Sequence, residues 1–147
     1  MDCGGEVKNV KIFLFAALAV ILSVCSFLAE GTAEPSDLVT VYYFHGNFRC
    51  VNCRNIEQYT KEAVEKYFSK ELGDGKVIFK VVNVENNSNE HFTNDYKLYT
   101  KSVVLSLIKN GKEIKFDNLT KIWEYLGDKE AFQQYIKSGI EKYLKEI

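Results

Sequence analysis

The sequence predicts an α/β domain on a central mixed sheet, with elements in the order β-α-β-α-β-β-α. Three observations carry that reading. Short β-branched and aromatic runs at Val39–Phe44, Val77–Val84 and Val103–Ile108 are separated by segments of helical apolar periodicity. A strand, a long helix and a second strand in succession imply a right-handed parallel crossover. Behind the third run, Asn110-Gly111 is a hairpin signal, so the sheet gains an antiparallel partner as well.

Each element has its own signature. Val39–Phe44 (VTVYYF) reads as a buried strand. From Cys53 to about Leu72, the residues Ile56, Tyr59, Ala63, Val64, Tyr67 and Phe68 recur on one face, which predicts an amphipathic helix. Gly73-Asp-Gly75 stops it. Val77–Val84 (VIFKVVNV) is the second strand, Asn86–Asn89 a polar turn, and Glu90 to about Leu98 a short helix. Val103–Ile108 then pairs through the Asn-Gly turn with Lys112–Phe116. A short helix is expected over Thr120–Leu126, where Trp123 is read as core packing in preference to an aromatic binding wall. Asp128 caps the last helix, Asp128–Ile147, whose buried face is Phe132, Ile136, Ile140, Tyr143, Leu144 and Ile147.

Composition narrows the function classes. A chain of 147 residues with 14% aromatic content fits one domain with a real core, which excludes disorder and collagen-like repetition. Net charge is −1 and no Lys/Arg-rich block exists, so no nucleic-acid partner is expected. Four cysteines are too few for a disulfide-built scaffold, and their placement matters more than their number.

Residues 1–29 read as a cytosolic stub plus a membrane or signal segment, 30–37 as a linker, and 38–147 as the domain. Lys8 and Lys11 precede the uncharged run Ile12–Ala29, and small residues follow it, in the order of an export signal. The run is 18 residues, just long enough to span a bilayer, so a cleaved signal and a retained anchor are close alternatives. A lipoprotein at Cys25 is a third, although Val24 fits a lipobox poorly. The two lysines place the domain outside the cytoplasm, anchored by residues 12–29 or, after cleavage, secreted or periplasmic.

Cys50-Val-Asn-Cys53 falls between the first strand and the N-terminus of the long helix. Free backbone N–H groups and the positive helix end stabilise an anion there, so a thiol at Cys50 should be unusually acidic. Arg49 and Arg54 flank the pair and add positive charge. Cys50 is therefore expected to be the nucleophile and Cys53 the resolving thiol, joined as a redox disulfide. A static disulfide and half of a zinc site are the rival readings. Zinc usually needs four ligands, and no second C-x-x-C or H-x-x-x-H is present, so no metal site is expected.

With these residues in place, positions 38–147 resemble the thioredoxin superfamily. The strand Val39–Phe44, the Cys50–Cys53 motif, the strand Val77–Val84 and Leu107-Ile-Lys-Asn-Gly111 before the last helix carry the likeness. It implies a three-layer thioredoxin-like sandwich and thiol–disulfide exchange with partner proteins bearing a disulfide or dithiol. Electrons would then come from a membrane thiol-electron transporter of the cytochrome-c-biogenesis type. More narrowly, Tyr43–Arg54 (YFHGNFRCVNCR) resembles exported thioredoxin-like proteins called the nitrophenyl-compound nitroreductase subunit of aromatic-arsenical resistance operons. No flavin-binding signature accompanies it, and no cofactor is expected.

The departures from thioredoxin are informative. The usual Gly-Pro between the cysteines is Val51-Asn52. The buried carboxylate of the preceding strand matches Phe44, leaving His45, one residue on, as a candidate proton carrier. The cis-proline before the third strand is absent, and Ser102 or Val103 stands in its place with a trans bond expected. The competing function from another class is a non-enzymatic protein that binds a soft metal or an arsenical through the same thiols.

Overall fold

The computed structural model describes residues 37–147. Strands β1 (Leu38–His45), β2 (Val77–Asn83), β3 (Ser102–Lys109) and β4 (Lys112–Asn118) form one sheet in the order β2-β1-β3-β4. β1 and β2 are parallel, with Val39 opposite Val77, and helix α1 (Val51–Tyr67) makes the crossover between them. β3 runs antiparallel to β1, with Phe44 opposite Ser102, and β4 antiparallel to β3. The mixed sheet expected from the three apolar runs and the Asn-Gly turn is therefore present. At that turn Asn110 and Gly111 both take positive φ (51° and 72°), the pair a type I′ hairpin requires.

Period-two alternation sorts the strand residues onto two faces. Val39, Val41 and Tyr43 join Val103, Leu105 and Leu107 on one face, packed against α1 and the last helix, α4 (Lys129–Leu144). α1 buries Cys53, Ile56, Thr60, Ala63 and Val64, while α4 buries Phe132, Gln133, Ile136, Ile140 and Tyr143. Asp128 caps α4, its Oδ1 accepting from the N–H groups of Glu130 (3.1 Å) and Ala131 (3.0 Å). On the opposite face, Phe44 and Val104 pack with Tyr96 and Leu98 beneath a short helix, α3 (His91–Asp95). Helices, sheet and short helix make the three layers.

Three expectations need correction. The long helix does not run unbroken to Leu72. Phe68 leaves helical geometry (φ −132°, ψ 30°) with its ring in the core, and α2 (Ser69–Gly73) is a separate short helix. The helix after β4 is only a 3₁₀ turn, Thr120–Ile122. Trp123 is not a core residue: it is 39% exposed, and its indole N–H donates to the Lys101 carbonyl (3.2 Å). An indole needs a partner for its donor, and here the nearest one is the chain entering β3. The apolar run Ile12–Ala29, Cys3, Cys25 and the linker up to residue 36 lie outside the described residues. Among the described residues, no helix is long and apolar enough to cross a membrane.

Candidate active site

β1 ends at His45 and α1 begins at Val51; the five-residue turn between them carries the site. Cys50 is the N-cap of α1, extended at φ −72° and ψ 171°, and its Sγ accepts from the Cys53 N–H at 3.2 Å. A cap sulfur thus does what a Ser or Asp oxygen does elsewhere, satisfying an otherwise free N–H of the first turn. The same N–H stabilises a thiolate when the pair is reduced. No acidic residue occupies the first turn to oppose it.

Cys50 and Cys53 form a disulfide with their Cα atoms 5.1 Å apart. The two sulfurs are not equivalent. Cys53 is completely buried, whereas Cys50 is half-buried. Cys53 Sγ lies 4.0 Å from the Phe48 carbonyl, within reach of a thiol donor in the reduced form. Phe48, two residues before Cys50, and Val51, directly after it, are 73% and 63% exposed, so exposed apolar side chains flank Cys50 in the chain. A cavity of about 190 Å³ opens beside the turn, between the end of β1 (His45, Gly46) and Tyr99–Lys101.

The sheet order β2-β1-β3-β4, with a parallel β1/β2 crossover through α1 and antiparallel β3 and β4, is a thioredoxin-like fold. Among solved structures similar to it is the reduced thioredoxin pre-protein of Schistosoma mansoni, at 20% identity and a TM-score of 0.45, covering 75% of this chain and 83% of that one. The thioredoxin of Trypanosoma brucei brucei is 18% identical, with a TM-score of 0.41 over 75% and 81%. That of Fasciola hepatica is 27% identical, with a TM-score of 0.37 over 61% and 79%. No family model matches the chain, and neither does any curated protein.

The sequence-predicted site residues fall as follows. Arg54 Nη1 donates to the Arg49 carbonyl (3.1 Å), bracing the turn. Arg49 forms an ion pair with Glu57 through Nη2, while its Nη1 donates to His45 Nε2 at 3.2 Å. His45 Nδ1 pairs with the Gly46 carbonyl at 2.8 Å, which assigns the neutral tautomer with Nδ1–H as donor. Both ring nitrogens are thereby engaged, and the imidazole is aimed at Arg49. Ser102 and Val103 lie beside the end of β1, opposite Phe44 and Tyr43, through trans peptides. Ser102 Oγ donates to the Thr100 carbonyl (3.0 Å), and neighbouring Lys101 is the residue held by Trp123.

Two residues of the site escaped sequence reasoning. Phe44 points to the far face of the sheet, into the cluster with Tyr96 and Leu98. The β1 residue that reaches the cysteines is Tyr43, whose hydroxyl donates to the Cys53 carbonyl at 2.6 Å. Burial pushes the Tyr43 phenol up to about 12; Arg49 opposes that shift and Glu57 reinforces it. The second is Glu57, the partner of Arg49, one turn beyond Cys53. Signals for both existed: strand alternation puts Tyr43 on the helix-facing side, and the i,i+4 relation puts Glu57 on the face of Cys53.

Proposed function

We propose that this protein is a thiol–disulfide oxidoreductase acting outside the cytoplasm, tethered to the membrane through Ile12–Ala29 where that segment is retained. The observation that carries the reading is the asymmetry of the pair: Cys50, half-buried, caps a helix, and Cys53 lies fully buried one turn behind it. That arrangement gives one sulfur access to a partner and keeps the other for resolution.

The exchange balances in two displacements. The Cys50 thiolate attacks one sulfur of a partner disulfide; a Cys50–partner S–S bond forms, the partner's own bond breaks, and its second sulfur leaves as thiolate to take up a proton. Cys53 then loses its proton and attacks Cys50 Sγ, expelling the remaining partner thiolate. Two electrons have moved to the partner, and Cys50–Cys53 is a disulfide. The same steps run backwards when a dithiol partner reduces it. Arg49, Arg54 and the helix N-terminus favour the thiolate that begins the sequence. Partners are proteins bearing an accessible disulfide or dithiol, and a membrane thiol-electron transporter of the cytochrome-c-biogenesis type is the source of electrons this reading favours. The run Tyr43–Arg54 supports a place among the exported thioredoxin-like proteins of aromatic-arsenical resistance operons.

The test is exchange with a defined substrate. The dithiothreitol-reduced full chain should reduce insulin disulfides, Cys50→Ser should abolish this, and Cys53→Ser should stop at an insulin mixed disulfide. A wild-type disulfide that resists dithiothreitol, or a Cys53→Ser variant that forms no mixed disulfide, would overturn the reading.

A further inference from the structure

Arg49 immediately precedes the accessible cysteine, and a cation there should strongly favour its thiolate. Yet this guanidinium is engaged elsewhere. Nη2 is bound to the Glu57 carboxylate, Nη1 donates to His45 Nε2, and the group lies 5.9 Å from the centroid of the Tyr43 ring. Its Nε is buried without a hydrogen-bond partner, a cost that three other contacts must offset. Glu57 stands on α1 one turn beyond Cys53, so the arginine is drawn along the helix flank. The other charged or titratable groups around the turn are Arg54, which bonds the Arg49 carbonyl, and Glu85, whose side chain lies against Gly46.

We propose that the Arg49–Glu57 ion pair sets the reduction potential of the Cys50–Cys53 couple: Glu57 binds and neutralises Arg49, keeping the couple more reducing than its two flanking arginines would make it. Glu57 and His45 are positioning residues in this scheme, acting through Arg49. The proposal rests on the oxidoreductase reading. The step concerned is the two-electron reduction of the disulfide, in which one proton goes to Cys53 and Cys50 remains a thiolate. The electrons come from a thiol reductant, here two glutathione molecules that end as glutathione disulfide.

The measurement is the redox equilibrium of the full chain with glutathione, together with the thiolate absorbance of Cys50 at 240 nm across pH. Glu57→Gln should raise the reduced-to-oxidised ratio at fixed glutathione by about three- to tenfold, the upper end being ~30 mV for a two-electron couple. The Cys50 thiolate should form at lower pH in that variant. Arg49→Gln should move both readouts the opposite way, and Glu57→Asp, which keeps the charge, should stay within about twofold of wild type. In the Arg49→Gln background, Glu57→Gln should lose at least half of its effect on a logarithmic scale. The proposal is overturned by an unmoved potential, by a shift toward the reducing side, or by an equal shift with and without Arg49, which would make Glu57 a direct field effect. If Glu57→Gln does not fold, Arg49→Gln alone decides by its sign. A wild-type couple that glutathione and dithiothreitol both fail to reduce would instead sink the oxidoreductase reading itself.

Discussion

The hydroxyl of Tyr43 donates a 2.6 Å hydrogen bond to the backbone carbonyl of Cys53, tying the central strand to the first turn of the helix that carries the cysteine pair. Tyr43 is completely buried, and the same ring lies against Arg49. One side chain thus links three parts of the site: strand, helix start and active-site turn.

Removing that hydroxyl should be measurable but not fatal. Tyr43→Phe keeps the ring, so core packing survives. The Cys53 carbonyl can still accept from the helix, so the loss should be about 1 kcal/mol, the net worth of one buried hydrogen bond. For a domain of this size that corresponds to a fall in Tm of roughly 4–6 °C, read by calorimetry on the oxidised chain. An unchanged Tm would show that the bond contributes nothing to the fold.

The tyrosines make a pH prediction. Burial raises the phenols of Tyr42, Tyr43, Tyr96, Tyr135 and Tyr143, with Tyr43 pushed up to about 12. A raised phenol pKa means that the folded state holds the proton more tightly than the unfolded chain does. For Tyr43 the resulting stabilisation is fully present below pH 10, the ordinary value, and is lost as pH climbs toward about 12. Phenolate absorbance at 295 nm should therefore develop late, with its last part coinciding with loss of the near-UV circular dichroism signal. Completion of the titration near pH 10 with the fold intact would contradict the burial.

The roles of the two sulfurs can be separated by alkylation. Iodoacetamide should label Cys50 first in the reduced chain and do so at lower pH than an ordinary thiol, because helix-end N–H groups and the flanking arginines favour its thiolate. Each pH unit of lowering corresponds to ~1.4 kcal/mol of preferential stabilisation. Cys53 should react only after denaturation. First labelling at Cys53 would reverse the assignment of nucleophile and resolving thiol.

Which features were legible in the sequence follows from the range of the interactions that fix them. Strands, the crossover helix, the Asp128 cap and the Asn110-Gly111 turn depend on neighbours in sequence, so period and turn chemistry revealed them. The Cys50–Cys53 pair was legible for the same reason, since a four-residue motif at a strand–helix junction is local. Strand alternation and the i,i+4 relation place Tyr43 and Glu57 on the right faces, but the bonds that bring them, like Trp123, into play go to partners elsewhere in the chain. Tyr43 reaches across to α1, Glu57 takes an arginine from the preceding turn, and Trp123 spends its donor on Lys101. The break at Phe68 is likewise tertiary: its ring is accommodated in the core at the cost of helical geometry. Phe44 matches the buried carboxylate by position alone, whereas strand alternation turns it to the far face of the sheet.

The last prediction concerns the side of the membrane on which this chemistry runs. A redox-active C-x-x-C couple can cycle in a reducing compartment as well as an oxidising one, so the side of the membrane needs its own test. Lys8 and Lys11 lie before Ile12–Ala29; if that run enters a membrane, lysines retained on the cytoplasmic side would put residues 37–147 outside. An alkaline phosphatase fused after Ile147 should be active, since that enzyme needs an oxidising compartment, and Lys8→Glu with Lys11→Glu should lower the activity. The membrane fraction should hold the fusion if Ile12–Ala29 is retained. A soluble product beginning near Glu30 or Glu34 would show cleavage and remove the tether without touching export. Phosphatase activity at background, with the fusion intact in the cell, would place Cys50 and Cys53 in the cytoplasm and leave a reduced dithiol as their resting state.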